Sequence, residues 1–189
     1  MRLILASASP RRAELLTSAG FSFEVRPADV DESPRSGEAP NVYALRVARD
    51  KAAAAITGCA DPDLVFLAAD TVVVVDELIL GKPRDDADAE RMLRLLANRT
   101  HQVLTAVVVR TVVTERCEVV ATQVRFRALD DTEIAWYVAS GEPIAKAGAY
   151  AIQGRAARFV DWIEGSWSNV VGLPIATVDR LLADDADRD

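Results

Sequence analysis

A single histidine and two cysteines are all the imidazole and thiol metal ligands in this chain of 189 residues. One histidine excludes a histidine cage, and Cys59 and Cys117 stand alone with no CxxC partner, so neither a zinc site nor a disulfide framework is expected. The two thiols read as reduced, which fits a cytoplasmic protein. Long apolar runs are also lacking. The longest, Leu64 to Val75, is interrupted by Asp70 and Thr71, too short to span a bilayer. Before Ser7 there is only one arginine and a handful of apolar residues, too little for a secretory signal. No basic run exceeds Arg11-Arg12, and the formal net charge is −7, so general nucleic-acid binding is not expected. The glycine patterns GxxxxGK[ST] and GxGxxG are absent, which excludes a P-loop and a dinucleotide fingerprint. No GxSxG elbow accompanies His101, so a serine triad is not expected and His101 reads as structural.

What remains is half apolar and 27% charged, the balance of a soluble globular domain large enough for a real core. Met1 to Ala6 reads as a strand and Pro10 to Ala19 as a helix stopped by Gly20. Residues 21–25 alternate as a second strand, and 26–40 form a polar loop. Asn41 to Thr57 reads as a helix with Val42, Leu45, Val47, Ala48 and Ala52 as its apolar stripe. Leu64 to Val75 and Leu78 to Leu80 read as strands around a turn at Asp76-Glu77. Asp85 or Asp86 caps a helix to Ala97. His101 to Val113 and Arg116 to Leu129 are strand-like and joined by a short turn. Asp130 or Asp131 caps a helix through Tyr137 to Ser140. Lys146 to Gly154 is a loop, Phe159 to Ile163 a strand, and Leu173 to Ala183 a final helix with a frayed tail at 184–189. The order predicts an α/β fold with a central mixed sheet. Trp136, Trp162 and Trp167 read as core or interface residues.

Several segments carry chemistry. In Leu3 to Arg12 an apolar run stops at Ser7, Ala8 and Ser9, and Pro10 opens a helix. Ser7 or Ser9 can cap it, and its first turn with Arg11 or Arg12 forms an oxyanion site. Asp70 lies inside Phe66 to Val75, where an ionised carboxylate must be paired, hydrogen-bonded or metal-bound. It either caps a backbone N–H at a strand bend or takes a catalytic or metal role. Thr71 is an ordinary strand former or a ligand contact. Gly81-Lys82-Pro83 gives a sharp turn with a point charge for phosphate. Glu32, with Asp29 and Asp31, is either solvated or completes a divalent-cation site with Asp70 through oxygen ligands and waters. Lys51 ends a basic cluster with Arg46 and Arg49. Gln153, between Ile152 and Gly154, carries an amide that suits the imide edge of a pyrimidine.

In order along the chain, the motifs Ser7-Ala8-Ser9-Pro10-Arg11-Arg12, Asp31-Glu32, Lys51-Ala52, Ala69-Asp70-Thr71, Leu80-Gly81-Lys82-Pro83, Thr100-His101-Gln102-Val103, Ser140-Gly141-Glu142-Pro143, Lys146 to Gly154 and Ser168 to Pro174 resemble the Maf family of nucleoside triphosphate pyrophosphatases. The resemblance implies an elongated, two-lobed α/β fold, similar to inosine triphosphatases, as a single domain with a cleft between its lobes. It implies hydrolysis of a nucleoside triphosphate to the monophosphate and pyrophosphate with a divalent metal, Mg²⁺ or Mn²⁺, and a homodimer. It makes Asp70 the proton acceptor and ties Arg12, Thr71 and Gln153 to substrate choice. Ser7, Arg11, Arg12, Lys51 and Lys82 would hold the triphosphate, with Asp70 and Glu32 on the metal. The tract ending Ile152-Gln153-Gly154 resembles the branch acting on dTTP and UTP. The alternatives are 7-methyl-GTP or broad-range hydrolysis, or a non-hydrolysing nucleotide-binding regulator of septum formation. Asn98 and Ala145 stand where many such proteins have glycine and aspartate.

Overall fold

The computed structural model describes residues 2–186. Strands and helices follow as β1 (Arg2–Leu5), α1 (Pro10–Ser18), β2 (Phe23–Val25), α2 (Pro40–Ile56), β3 (Leu64–Val75), β4 (Leu78–Leu80), α3 (Asp86–Leu96), β5 (Thr100–Arg110), β6 (Glu115–Phe126), α4 (Asp131–Val138), β7 (Val160–Glu164), α5 (Trp167–Val171) and α6 (Ile175–Ala186). The seven strands make one mixed sheet in the order β2-β1-β3-β5-β6-β7, with β4 beside β3. β1 is parallel to β2 and β3, while β4 is antiparallel to β3 and β7 to β6. β5 and β6 are joined by residues 111–114, a turn closed by Thr111 N–H donating to the Thr114 carbonyl at 2.9 Å. So short a link forces the antiparallel sense. The α/β class with a mixed central sheet is the one the sequence predicts.

The chain divides into two compact units. One holds the residues up to Asp70, Thr105–Val120 and those from Gly172 on; the other holds Thr71–Leu104 and Ala121–Val171. In the first, Ile4, Leu64 and Phe66 form a buried cluster against Ala55, Ile56 and Cys59 of α2 and its exit. The buried face of α2 is Tyr43, Ala44, Val47, Ala48, Lys51 and Ala52. The predicted stripe is therefore off at one end: Val42 is exposed and Tyr43 takes its place inside. That places Lys51 one turn beyond Val47 on the face turned to the core.

The second unit is built on an aromatic core. His101, Phe126, Tyr150, Phe159 and Tyr137 meet edge to face, with neighbouring centroids 4.8–6.1 Å apart. His101 is structural, as expected: it is buried, and its Nε2 lies 2.9 Å from the Tyr150 hydroxyl. Burial depresses its pKa to about 4. The unfolded chain therefore takes up a proton that the native protein refuses, so stability is lost as pH falls from about 6.5 toward about 4. The loss from this group is on the order of 3 kcal/mol. Urea titrations of wild type and His101→Phe should show a shallower acid decline in the variant.

Caps settle several boundaries. The Asp85 side chain accepts from Asp88 N–H at 2.8 Å to start α3, and Asp130 with Glu133 forms a capping box on α4. The final helix is not continuous from Leu173. A short α5 ends at Val171, Gly172 breaks the run at φ +127°, and α6 starts at Ile175 with the Pro174 carbonyl accepting from Val178 N–H at 3.0 Å. α6 continues past the expected Ala183 to Ala186, and the rest of the expected frayed tail, 187–189, lies outside the described residues. The loop at 146–154 contains a 3₁₀ turn at Ala147–Ala149, and a second at Arg155–Phe159 leads into β7. The tryptophans are not core residues: Trp136, Trp162 and Trp167 are 40%, 44% and 49% exposed. The Trp136 ring is instead covered by the guanidinium of Arg158 at 4.8 Å. Asn98 takes φ +55°, a left-handed turn that asparagine tolerates, and its side-chain oxygen accepts from Arg125 at 3.1 Å. Ala145, at φ +62°, has no such compensation from its own side chain. No helix among the described residues is long and apolar enough to cross a membrane.

Candidate active site

The first unit gathers a buried polar group at the C-terminal end of β1 and in the middle of β3. After β1 the chain turns through Ser7 into α1, where Ser9 is the N-cap residue and Pro10 opens the helix. The expected side-chain cap is not made. Ser9 supplies no capping bond, and the Ser7 hydroxyl accepts from Ser9 N–H at 3.3 Å and from Arg12 Nη1 at 2.9 Å. Ser7 thus anchors a guanidinium rather than a helix end. Arg12 Nε donates to the Gly172 carbonyl at 2.9 Å, so two fixed acceptors define the plane of a buried cation. Burial pulls the Arg12 guanidinium below its ordinary pKa, and attraction to Asp70 opposes that. Of the two adjacent arginines, Arg12 is the buried one. Arg11 is half-buried, lowered by burial and drawn the other way by Glu14.

Asp70 lies within the continuous strand β3 and is 7% exposed. Its Oδ1 accepts from Lys51 Nζ at 2.8 Å, and Glu32 Oε1 lies 2.7 Å from the same ammonium. The carboxylate therefore pairs with a cation instead of capping a strand bend. Burial is the largest influence on Asp70 and raises its pKa. Lys51 and Arg12 pull it down and Glu32 pushes it up, leaving it above the ordinary carboxylate range. The basic cluster of α2 divides three ways. Arg46 grips Glu38 through Nε at 2.6 Å and Nη2 at 2.8 Å, Arg49 grips Glu115 at 2.8 Å, and Lys51 turns inward to Asp70. The Arg46–Glu38 pair has a second effect. With Arg46 also donating to the Ser33 carbonyl at 3.1 Å, and the Tyr43 hydroxyl to the Glu32 carbonyl at 2.7 Å, it ties the polar loop to α2 and holds Glu32 in place.

Thr71, Lys82 and Gln153 belong to the second unit. Thr71 is half-buried on β3, while Lys82 and Gln153 are exposed. The Gly81 carbonyl, beside Lys82, accepts from Gly148 N–H at 3.1 Å. Gly148 has φ +66°, and a Cβ there would meet the Val73 side chain at 2.8 Å, so this close approach requires glycine. Two residues of the first unit escaped sequence reasoning. Gly172, which receives Arg12, sits in the Ser168 to Pro174 motif, so its signal was present but carried no role. Tyr43 showed no signal, because its hydroxyl works through a backbone carbonyl distant in sequence.

Asp70 and Glu32 converge on the Lys51 ammonium, the positive charge the structure places against both. Among the described residues no three or more histidine, cysteine, aspartate or glutamate side chains could hold a metal together. An all-protein cage is thus not built. Two carboxylates are hard oxygen donors, the type that a divalent ion such as Mg²⁺ would accept from a protein alongside its waters.

A family model described as "Maf-like protein" matches residues 2–185. The protein named dTTP/UTP pyrophosphatase in Anaeromyxobacter dehalogenans is 55% identical over 96% of this chain and 92% of its own length. Proteins of the same name in Geobacter sulfurreducens and Shewanella oneidensis are 52% and 49% identical, covering 94% and 97% of this chain and 93% and 98% of their own. Among solved structures, the Staphylococcus aureus Ham1 protein aligns with a TM-score of 0.58 over 98% of this chain and 100% of its own, at 12% identity. That likeness is one of fold, and agrees with the α/β class read from the sequence.

Proposed function

The chain belongs to the Maf-like protein family, and from that premise we propose that it is a nucleoside triphosphate pyrophosphatase acting on dTTP and UTP, with Asp70 as the base. The single observation that carries the chemistry is a buried carboxylate, raised above its ordinary pKa, beside an anchored arginine and a lysine. A carboxylate whose pKa is raised is a stronger base when it is ionised.

Binding comes first. Arg12, oriented by Ser7 and Gly172, and Lys51 present positive charge to the triphosphate, and Arg11 and Lys82 belong to the same phosphate-binding set in this reading. Thr71 contributes to substrate choice, and the Gln153 amide reads the imide edge of uracil or thymine. A divalent ion, Mg²⁺ or Mn²⁺, held partly by Asp70 and Glu32, would neutralise phosphate charge and acidify water. Asp70 then orients the attacking water and accepts its proton. The water oxygen bonds to the α-phosphorus, the bond to the α–β bridging oxygen breaks, and the electron pair leaves with pyrophosphate. Arg12 and Lys51 stabilise the charge that builds on the phosphoryl oxygens.

The proposal extends to a homodimer and a cytoplasmic location, the latter supported by the free thiols of Cys59 and Cys117. The test is pyrophosphate release from dTTP, UTP, CTP, GTP and 7-methyl-GTP with magnesium or manganese. Preferred turnover of dTTP and UTP, giving monophosphate and pyrophosphate in equal amounts, is the expected result. Binding without turnover, or preference for 7-methyl-GTP, overturns it.

A further inference from the structure

Ser140-Gly141-Glu142-Pro143 has no role in the mechanism above, yet its carboxylate is one of the best-coordinated groups in the second unit. The Tyr137 hydroxyl donates to Glu142 Oε1 at 2.9 Å. The backbone N–H of Arg155 donates to Oε2 at 3.0 Å, and that of Ala156 to Oε1 at 3.4 Å. Tyr137 in turn accepts from Ala151 N–H at 3.2 Å. Gln153 lies midway between the two anchored segments, two residues after Ala151 and two before Arg155. The residue between Gln153 and Arg155 is a glycine for a steric reason: a Cβ on Gly154 would sit 2.4 Å from Glu142 Oε1.

The brace is stiff. Tyr137 is fully buried, with its ring packed edge-on against Phe159 at 5.2 Å. Burial keeps its hydroxyl protonated as a donor. Ser140 Oγ accepts from Glu142 N–H at 3.2 Å, fixing the start of the glutamate from behind. Gly148, on the other side of the same loop, is held by the Gly81 carbonyl. An exposed glutamine on an unheld loop would sample many directions, and ordering it on binding would weaken affinity. Here the backbone on both sides of it is already held.

We propose that Glu142, braced by Tyr137, is a positioning residue for base selection: its carboxylate locks the backbone from Ala151 to Ala156 so that the Gln153 amide is presented to the pyrimidine in one orientation. The inference rests on the reading of Gln153 as the base-reading group. A brace that serves folding alone would lower activity on every nucleotide alike. A brace that aims Gln153 affects thymine and uracil nucleotides more than cytosine nucleotides, and acts through KM more than kcat.

The experiment measures kcat and KM on dTTP, UTP and CTP for wild type, Glu142→Gln, Tyr137→Phe and Gln153→Ala, with thermal melts alongside. Glutamine keeps the size of Glu142 but replaces one acceptor oxygen with an NH₂ group, so the bonds that Tyr137 and the Arg155 N–H donate to separate oxygens cannot both be kept in that form. Loss of one such bond corresponds to about a tenfold fall in the dTTP-to-CTP ratio of kcat/KM, mainly through KM. Tyr137→Phe should move the ratio in the same direction, and it carries the test if Glu142→Gln does not fold. If Gln153→Ala loses discrimination while Glu142→Gln and Tyr137→Phe keep it, the positioning role is overturned and the base-reading role stands. If Gln153→Ala itself discriminates normally, the base-reading role fails and the inference falls with it. Equal losses on all three nucleotides in Glu142→Gln also overturn it.

Discussion

Replacing Asp70 with asparagine is expected to lower kcat for pyrophosphate release by about 10²-fold or more, the usual scale for removing a general base. The substitution keeps shape and keeps an oxygen that can accept from Lys51, whose Nζ lies 2.8 Å from Asp70 Oδ1. The fold should therefore persist, and a buried neutral amide costs less desolvation than a buried carboxylate. What disappears is the proton acceptor. Steady-state turnover of dTTP, with nucleotide affinity measured separately by titration, checks the expectation. Retained binding with lost turnover agrees with it. Near-normal kcat means that another group takes the proton.

Lys51→Met is expected to impair both folding and catalysis. The lysine is 8% exposed and is the cation on which Asp70 and Glu32 converge. Methionine fills similar space but removes the ammonium that both carboxylates contact, leaving Arg12 to oppose the charge of Asp70. Removing one member of a buried ion pair costs about 3 kcal/mol here, the low end of the range, because Glu32 retains 39% exposure and Asp70 can take up a proton. The sign of the pH dependence follows. Without Lys51, the native-state pKa of Asp70 moves further above that of the unfolded chain. The native state then holds a proton that the unfolded chain has released, so stability falls as pH rises through that interval. Denaturant titrations should show a larger deficit at about pH 8 than at about pH 5. Catalysis suffers in the same variant: loss of a charge that stabilises phosphoryl oxygens is expected to lower kcat/KM on the order of 10²-fold. A variant as stable as wild type at both pH values would contradict the pairing described for Lys51.

Much of this could be read from residue patterns, and the parts that could not have physical causes. β3 was legible because a run buried on both faces has to be apolar, and the same run marked Asp70 as an exception that needed a partner. Its partner was not legible. Lys51 looked like one member of a basic cluster, and only the true helical face, with Tyr43 inside and Val42 outside, turns it toward β3 while Arg46 and Arg49 turn away. Ser7 and Ser9 gave a correct signal for the start of α1 but not for what Ser7 does, because a cap and an arginine anchor use the same hydroxyl. The break at Gly172 escaped because Leu173 and Pro174 also suit a first helical turn, and the carbonyl that Gly172 offers to Arg12 is a backbone group with no side-chain signature. In the second unit the caps at Asp85 and Asp130 were legible within one residue, since capping is local. The three tryptophans lie outside the core half of the core-or-interface expectation, and for Trp136 the cation–π cover by Arg158 leaves no trace in local sequence.

The most direct measurement is the pH dependence of kcat/KM on dTTP, compared between wild type and Asp70→Asn. The wild-type profile should show an acid limb above the ordinary carboxylate range, as burial of Asp70 requires, and the residual activity of the variant should lack that limb. The same limb at the same pH in both proteins would contradict the assignment of Asp70 as the base.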